Sequence, residues 1–194
     1  MKTQITKIAA AFMLLAGTSL NATTGPEDVT VSTENSKAVI LKLNNLEAGT
    51  DISLRDREGV VLFQDEAESA SYNKVLNLKQ LESGELFLEI ESDEQLEVLT
   101  IQVTDTEAYL KQSAEILIEK PIMRVNDDMA KVFFGQNEGT TKVTIFDQSG
   151  HIAFRHNAEN GGMKSYDLSK LGRGSYNFEF KTGDRTFYQN VTVK

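Results

Sequence analysis

The chain of 194 residues has no cysteine and no tryptophan, and only two prolines and two histidines. Without cysteine there is no disulfide, no thiolate metal site and no lipoprotein-type anchor, which needs a cysteine at its cleavage site. Without tryptophan the strongest sugar-stacking platform is missing. The two histidines, His151 and His156, lie five residues apart, which puts them on opposite faces of an extended strand and argues against a shared metal. No Gly-x-Ser-x-Gly elbow is present, nor a glycine-rich phosphate loop. The Asp-x-Asp-x-Asp-Gly run of a calcium loop is also missing. Asp93-Glu94 and Asp127-Asp128 read as ordinary acidic turns. The sequence therefore points away from an enzyme and offers no catalytic residue, metal ligand or cofactor site.

Long apolar runs are equally scarce. The one that stands out, "IAAAFMLLAG", follows Lys2 and Lys7 and leads into small and polar residues. That order of charge, apolar core and cleavage region is expected of a secretory signal peptide over residues 1–22. The run is too short to cross a bilayer, which takes about twenty apolar residues. The expectation is an exported protein, in the periplasm or at the cell surface, with no membrane span. About 170 residues then remain to bury a core without any covalent staple, as one domain or two small ones.

Acidity is abundant but one-sided. The formal net charge of −9 becomes −11 once the two leader lysines are set aside. Residues 23–104 hold 17 acidic against 6 basic side chains, whereas residues 115–194 hold 10 against 11. Such a balance argues against nucleic acid, which is bound by neutralising phosphates, and against anionic membrane surfaces.

The chain repeats itself. "AVILKLNN" (38–45) matches "MAKVFFGQ" (129–136) at an offset of 91, and "DISLRDREGVVLF" (51–63) matches "KVTIFDQSGHIAF" (142–154). The offset then becomes 90, so that "LNLKQLESGELFLEI" (76–90) matches "YDLSKLGRGSYNFEF" (166–180). Two copies are too few for a solenoid and imply tandem domains instead. Within each copy Ile52 and Leu54, or Val143 and Ile145, alternate with polar neighbours, the period of a half-buried strand. "DREG" (56–59) and "DQSG" (147–150) place Asp and Gly three residues apart, as a hairpin turn requires.

The Leu-x-x-Leu-x-x-Gly motif then explains itself. Leu78 and Leu168 end a strand, and Leu81 and Leu171 sit in the crossing to the next sheet, where leucine plugs the open end of a core. Gly84 and Gly174 permit the turn, after which Leu86, Leu88 and Ile90, or Tyr176, Phe178 and Phe180, point inward. The fold class expected is all-β, two tandem immunoglobulin-like antiparallel β-sandwich domains after the signal peptide. Their bounds are 23–104 and 115–194, joined by a short helical or extended linker over 105–114 in which Tyr109 and Leu110 seat against one domain. Pro121 fits only an edge strand or a strand start. An eight-stranded barrel spanning both halves is the competing architecture.

The stretch "VTIFDQSGHIAF…YDLSKLGRGSYNFEF…FYQNVTVK" resembles the C-terminal sorting domains of cargo proteins of the bacterial type IX secretion system. The resemblance covers about 50 residues of the second copy and rests on Phe146, Asp147, Gly150, Asp167, Leu168, Ser169, Leu171, Gly174, Tyr176, Val191, Val193 and Lys194. It departs from the family at "EKPIMRVNDD", where a Tyr-Pro-Asn-Pro-like segment is usual, and in a tail less basic than is customary. The first copy has Leu86 where the second has Tyr176. What the resemblance implies is an immunoglobulin-like sandwich with a sorting signal at Leu171, Gly174, Tyr176, Val191, Val193 and Lys194, read by secretion machinery.

Two functions follow as expectations. One is a non-enzymatic exported interaction protein with a protein partner, which includes the secretion machinery, and no nucleic-acid partner. The alternative is an acidic module whose first domain captures calcium or a cationic partner. The oligomeric state is left open.

Overall fold

The computed structural model describes residues 37–194, and residues 112–115 by their backbone only. The expected leader over 1–22 lies outside the described residues. Every regular element but one short turn is a strand.

The first sandwich runs through β1 (Ala38–Asn44), β2 (Thr50–Arg55), β3 (Val61–Ala67), β4 (Ser71–Asn77), β5 (Gly84–Glu91), β6 (Gln95–Val103) and β7 (Ala108–Glu119). β1 pairs with β4, and the other five form an antiparallel sheet in the order β3-β2-β5-β6-β7. Alternation decides which faces meet. Val39, Leu41 and Leu43 of β1 pack with Ile52 and Leu54 of β2, Leu86, Leu88 and Ile90 of β5, and Leu99, Ile101 and Val103 of β6. Each such side chain, fully removed from water, contributes about 1.5–3 kcal/mol.

The second sandwich comprises β8 (Ile122–Asn126), β9 (Met129–Phe133), β10 (Thr140–Asp147), β11 (Ile152–Glu159), β12 (Met163–Asp167), β13 (Gly174–Thr182) and β14 (Arg185–Val193). A single 3-10 turn, Leu168–Lys170, follows β12. Its sheets are β12-β9-β8 and β11-β10-β13-β14. Phe178 and Phe180 lie fully buried at the centre with Val132, Val143 and Ile145.

The duplication extends to individual hydrogen bonds. Leu78 N–H donates to the Lys37 carbonyl and Leu168 N–H to that of Asp128, both at 2.7 Å. Leu81 N–H donates to Leu78 at 3.0 Å, and Leu171 N–H to Leu168 at 2.9 Å. In the hairpin turns Gly59 and Gly150 adopt φ of 82° and 80° and donate to Asp56 and Asp147. The Asp147 carboxylate accepts from the N–H groups of His151 and Ser149, and those bonds, His151 first, hold it below the usual carboxylate range. Two separate cores rule out the single barrel.

The segment 105–114, expected as a linker, is corrected by the structure. After a turn closed by Thr104 N–H to the Glu107 carbonyl at 2.8 Å, the chain enters β7 and pairs back onto β6 from Val103↔Ala108 to Gln95↔Glu119. The first sandwich therefore runs to Glu119, and residues 115–119, assigned from sequence to the second domain, belong to the first sheet. The physical reason is that β6 would otherwise be an unpaired edge. A helix in this segment would bond only to itself and leave the backbone groups along that edge of β6 unpaired. Leu110 does pack against the first core, while Tyr109 stays exposed. Pro121 stands just before β8, an edge strand, where its missing N–H costs nothing.

Candidate functional site

Five of the six positions singled out by the resemblance meet at the base of the β13–β14 hairpin, and the sixth, Leu171, lies in the crossing loop before it. Register places Gly174 opposite Val193 and Tyr176 opposite Val191. Val191 and Val193 are buried, and Leu171 and Tyr176 are half-buried against the same core. Tyr176 donates its hydroxyl to the Gly172 carbonyl at 2.9 Å, tying the crossing loop to the strand that follows it. Gly174, with φ of 149°, takes a backbone conformation that side-chain-bearing residues rarely adopt. Lys194, next to Val193, is exposed, as is Thr192. Thus four of the six build the hairpin base, Leu171 packs in the loop before it, and the surface there is Thr192 and Lys194.

Above this base the crossing loop is capped by Asp167, whose carboxylate accepts from the Ser169 hydroxyl at 2.6 Å and its N–H at 3.1 Å. These bonds, the hydroxyl first, lower the Asp167 pKa. Leu168 is sealed, and Leu171, Ile145, Phe154 and Tyr166 line a cleft of about 420 Å³ beside it. Tyr166 packs edge-on against Phe154 and Phe178, and burial pushes its hydroxyl pKa up to about 12. That hydroxyl has no hydrogen-bond partner among the described residues.

His151 and His156 are not brought together: His151 is exposed 3.5 Å from Asp147, and His156 stacks obliquely on Phe154. Asp93-Glu94 and Asp127-Asp128 fall in the β5–β6 and β8–β9 turns. Among the described residues no three His, Asp or Glu side chains group as metal ligands, and no helix is long and apolar enough to cross a membrane.

The junction of the two sandwiches carries residues that the sequence reading missed. Leu96 and Val98 on the outer face of β6 are buried in the second sandwich's core cluster, with Phe87 and Ile118 packed beside them. Glu89, on the same face of β5, is 7% exposed and accepts Arg55 at 2.8 Å from its own sheet and Arg185 at 2.6 Å from the start of β14. Lys120 bridges the Glu91 carboxylate at 2.9 Å and the Ser92 carbonyl at 2.7 Å, with its ammonium over the Phe187 ring. Asn137 clasps the backbone of Glu119, accepting from its N–H and donating to its carbonyl. Gly135 sits where any Cβ would overlap Glu119 Cβ and stand 2.7 Å from its carbonyl oxygen. The missed signal was the phase change in "LEVLTIQV" (96–103), where Leu96 and Val98 present apolar groups to one face and Leu99, Ile101 and Val103 to the other, as a strand buried on both faces does.

Comparisons with known proteins add only context. No family model and no curated protein matches the chain. Among solved structures, a biofilm-associated protein's BSP domain is similar at 15% identity and a TM-score of 0.29, over 87% of this chain and 29% of that one. A two-domain fibronectin type III segment of chicken tenascin is similar at 9% identity and a TM-score of 0.31, over 87% of this chain and 99% of that one. The chain thus spans under a third of the first structure.

Proposed function

We propose that this chain is an exported, non-enzymatic interaction protein, held as one rigid pair of sandwiches, whose final hairpin is read by type IX secretion machinery. The observation that carries this reading is the meeting of Gly174, Tyr176, Val191 and Val193 on one hairpin base, with the crossing loop of Leu171 tied to it through Tyr176, next to the exposed pair Thr192 and Lys194. Rigidity is supported by the buried Leu96, Val98 and Glu89 at the junction, since a wet and flexible linker would leave these in water. The histidines stand apart, His151 beside Asp147 and His156 beside Phe154, and so build no shared site.

Capture of calcium by the acidic first sandwich draws little support. The outward carboxylates of β5 are already engaged: Glu85 by Lys111 and Arg57, Glu89 by Arg55 and Arg185, and Glu91 by Lys120. Such pairs would have to break before a cation could enter.

The test is cell fractionation of Thr192→Ala combined with Lys194→Ala, a pair of exposed changes that leaves the hairpin core intact. Retention of this soluble variant in the periplasm, while the unaltered protein reaches the surface or the medium, is the expected result. A folded double variant distributed like the unaltered protein removes the sorting role and leaves a free-standing binding module.

A further inference from the structure

The two copies treat their last shared strand differently. In the first, β6 is flanked by β5 on one side and β7 on the other. In the second, β14 occupies the same place, pairs with β13, and no strand among the described residues pairs with its other edge. An open edge presents a row of unpaired N–H and C=O groups, and proteins ordinarily guard it with charge, proline or a bulge. Every other edge strand here has a charged residue within it, from Lys42 in β1 to Lys164 in β12. After its first residue, Arg185, β14 reads "TFYQNVTV" (186–193): eight residues with no charge, no proline and no glycine. Its pairing with β13 shows no register shift.

We propose that this edge pairs antiparallel with the same strand of a second copy, giving a two-fold dimer whose four-stranded sheets join into one. The strand's composition selects that occupant. A two-fold centred on Asn190 sets Tyr188 against Thr192 on the exposed face and Phe187 against Val193 on the core face. Both are aromatic with β-branched pairs of the kind that stabilise sheets. No like charges meet, because residues 186–193 carry none and a two-fold at Asn190 leaves Arg185 outside the paired stretch. The acidic excess lies in the first sandwich, so the neutral strand is where two copies approach with least repulsion. Gln189 does not obstruct this: its side-chain amide is spent on the Pro121 carbonyl at 2.8 Å and the Met123 N–H at 3.1 Å, across the sandwich. The side chains of Thr186, Tyr188, Asn190 and Thr192 are exposed on one face, and the bonds they make, Asn190 accepting from Asn177 at 2.8 Å and Tyr188 donating to Glu179 at 3.4 Å, run to β13 and not to the open edge.

The experiment is sedimentation of the purified protein over a concentration series, with Tyr188→Lys/Thr192→Lys and Tyr188→Glu/Thr192→Glu variants. These positions are exposed, and melting temperatures close to the unaltered protein's verify folding. The unaltered protein should dimerise. Each variant alone should bind itself roughly tenfold or more weakly, since like charges then face each other across the two-fold. An equal mixture of the two should recover the dimer, and amide exchange should show β14 protected only in dimeric samples. A monomer at every concentration, a dimer indifferent to the lysines, or no recovery on mixing overturns the proposal.

Discussion

Arg185 Nη2 stands 2.6 Å from Glu89 Oε1, joining the first residue of the last strand to the outer face of the other sandwich. Glu89 faces Arg55 as well, so its buried charge keeps one cation if Arg185 is lost. Arg185→Ala should therefore cost about 1.5–3 kcal/mol, the range for hydrogen bonds to charged groups. Glu89→Ala should cost more, because two guanidinium groups would then face a buried gap without an anion. Small-angle scattering should show a broader distribution of interdomain distances for Glu89→Ala. Unchanged scattering and an unchanged denaturation midpoint would mean that the apolar contacts at Leu96 and Val98 suffice.

Gly135 marks the closest approach of the two units. Its counterpart in the first copy is Asn44, which has no neighbouring domain to avoid. Gly135→Ala should push Glu119 and the strand behind it outward, at a cost of about 1–3 kcal/mol, as for other overpacked sites. Asn44→Ala should be nearly neutral. Denaturant titration of both variants decides this, and equal midpoints would show that the junction relaxes freely.

The paired leucines of the crossing motif should not be equivalent. Leu78 and Leu168 are sealed, whereas Leu81 and Leu171 are only half-buried. Leu168→Ala should cost about 2–5 kcal/mol. Leu171→Ala should cost about 1–2 kcal/mol, because less apolar surface returns to water. The crossing leucines expected to plug the core are thus the less buried of each pair, and a larger loss at Leu171 than at Leu168 would restore them to that role.

Tyr166 carries a buried hydroxyl without a partner among the described residues. Tyr166→Phe should leave stability at neutral pH unchanged or raise it by about 1 kcal/mol, since no bond is lost and a desolvation cost disappears. The alkaline limb should also change. A pKa raised from 10.0 to about 12 means that the neutral phenol stabilises the fold below pH 10. That contribution is lost as the pH rises from 10 through 12. Stability measured across this window should fall less steeply in Tyr166→Phe, and an identical slope would show that the phenol titrates normally.

Local chemistry was legible from the sequence wherever it acts over a few residues. Period-two alternation placed Ile52, Leu54, Val143 and Ile145 in the cores, and Asp and Gly at fixed spacing set the turns at 56–59 and 147–150. The repeat announced two sandwiches because matching side chains must fill matching interiors. What a strand does with its second face is not local. The segment 105–114 reads as a linker until β6 is seen to need a neighbour, and only then does pairing outweigh the helix-forming composition. Leu96 and Val98 occupy the positions of Thr186 and Tyr188, yet one pair is buried and the other is wet because a second domain rests on the first alone. Glu89 and Glu179 are the same residue at the same place in the two copies, and only at Glu89 does Arg185 complete the site. Backbone propensity and alternation, carried by neighbours in sequence, determined the two sandwiches. Their junction, and the edge left open at β14, were decided by contacts between residues up to about a hundred positions apart, which no local pattern records.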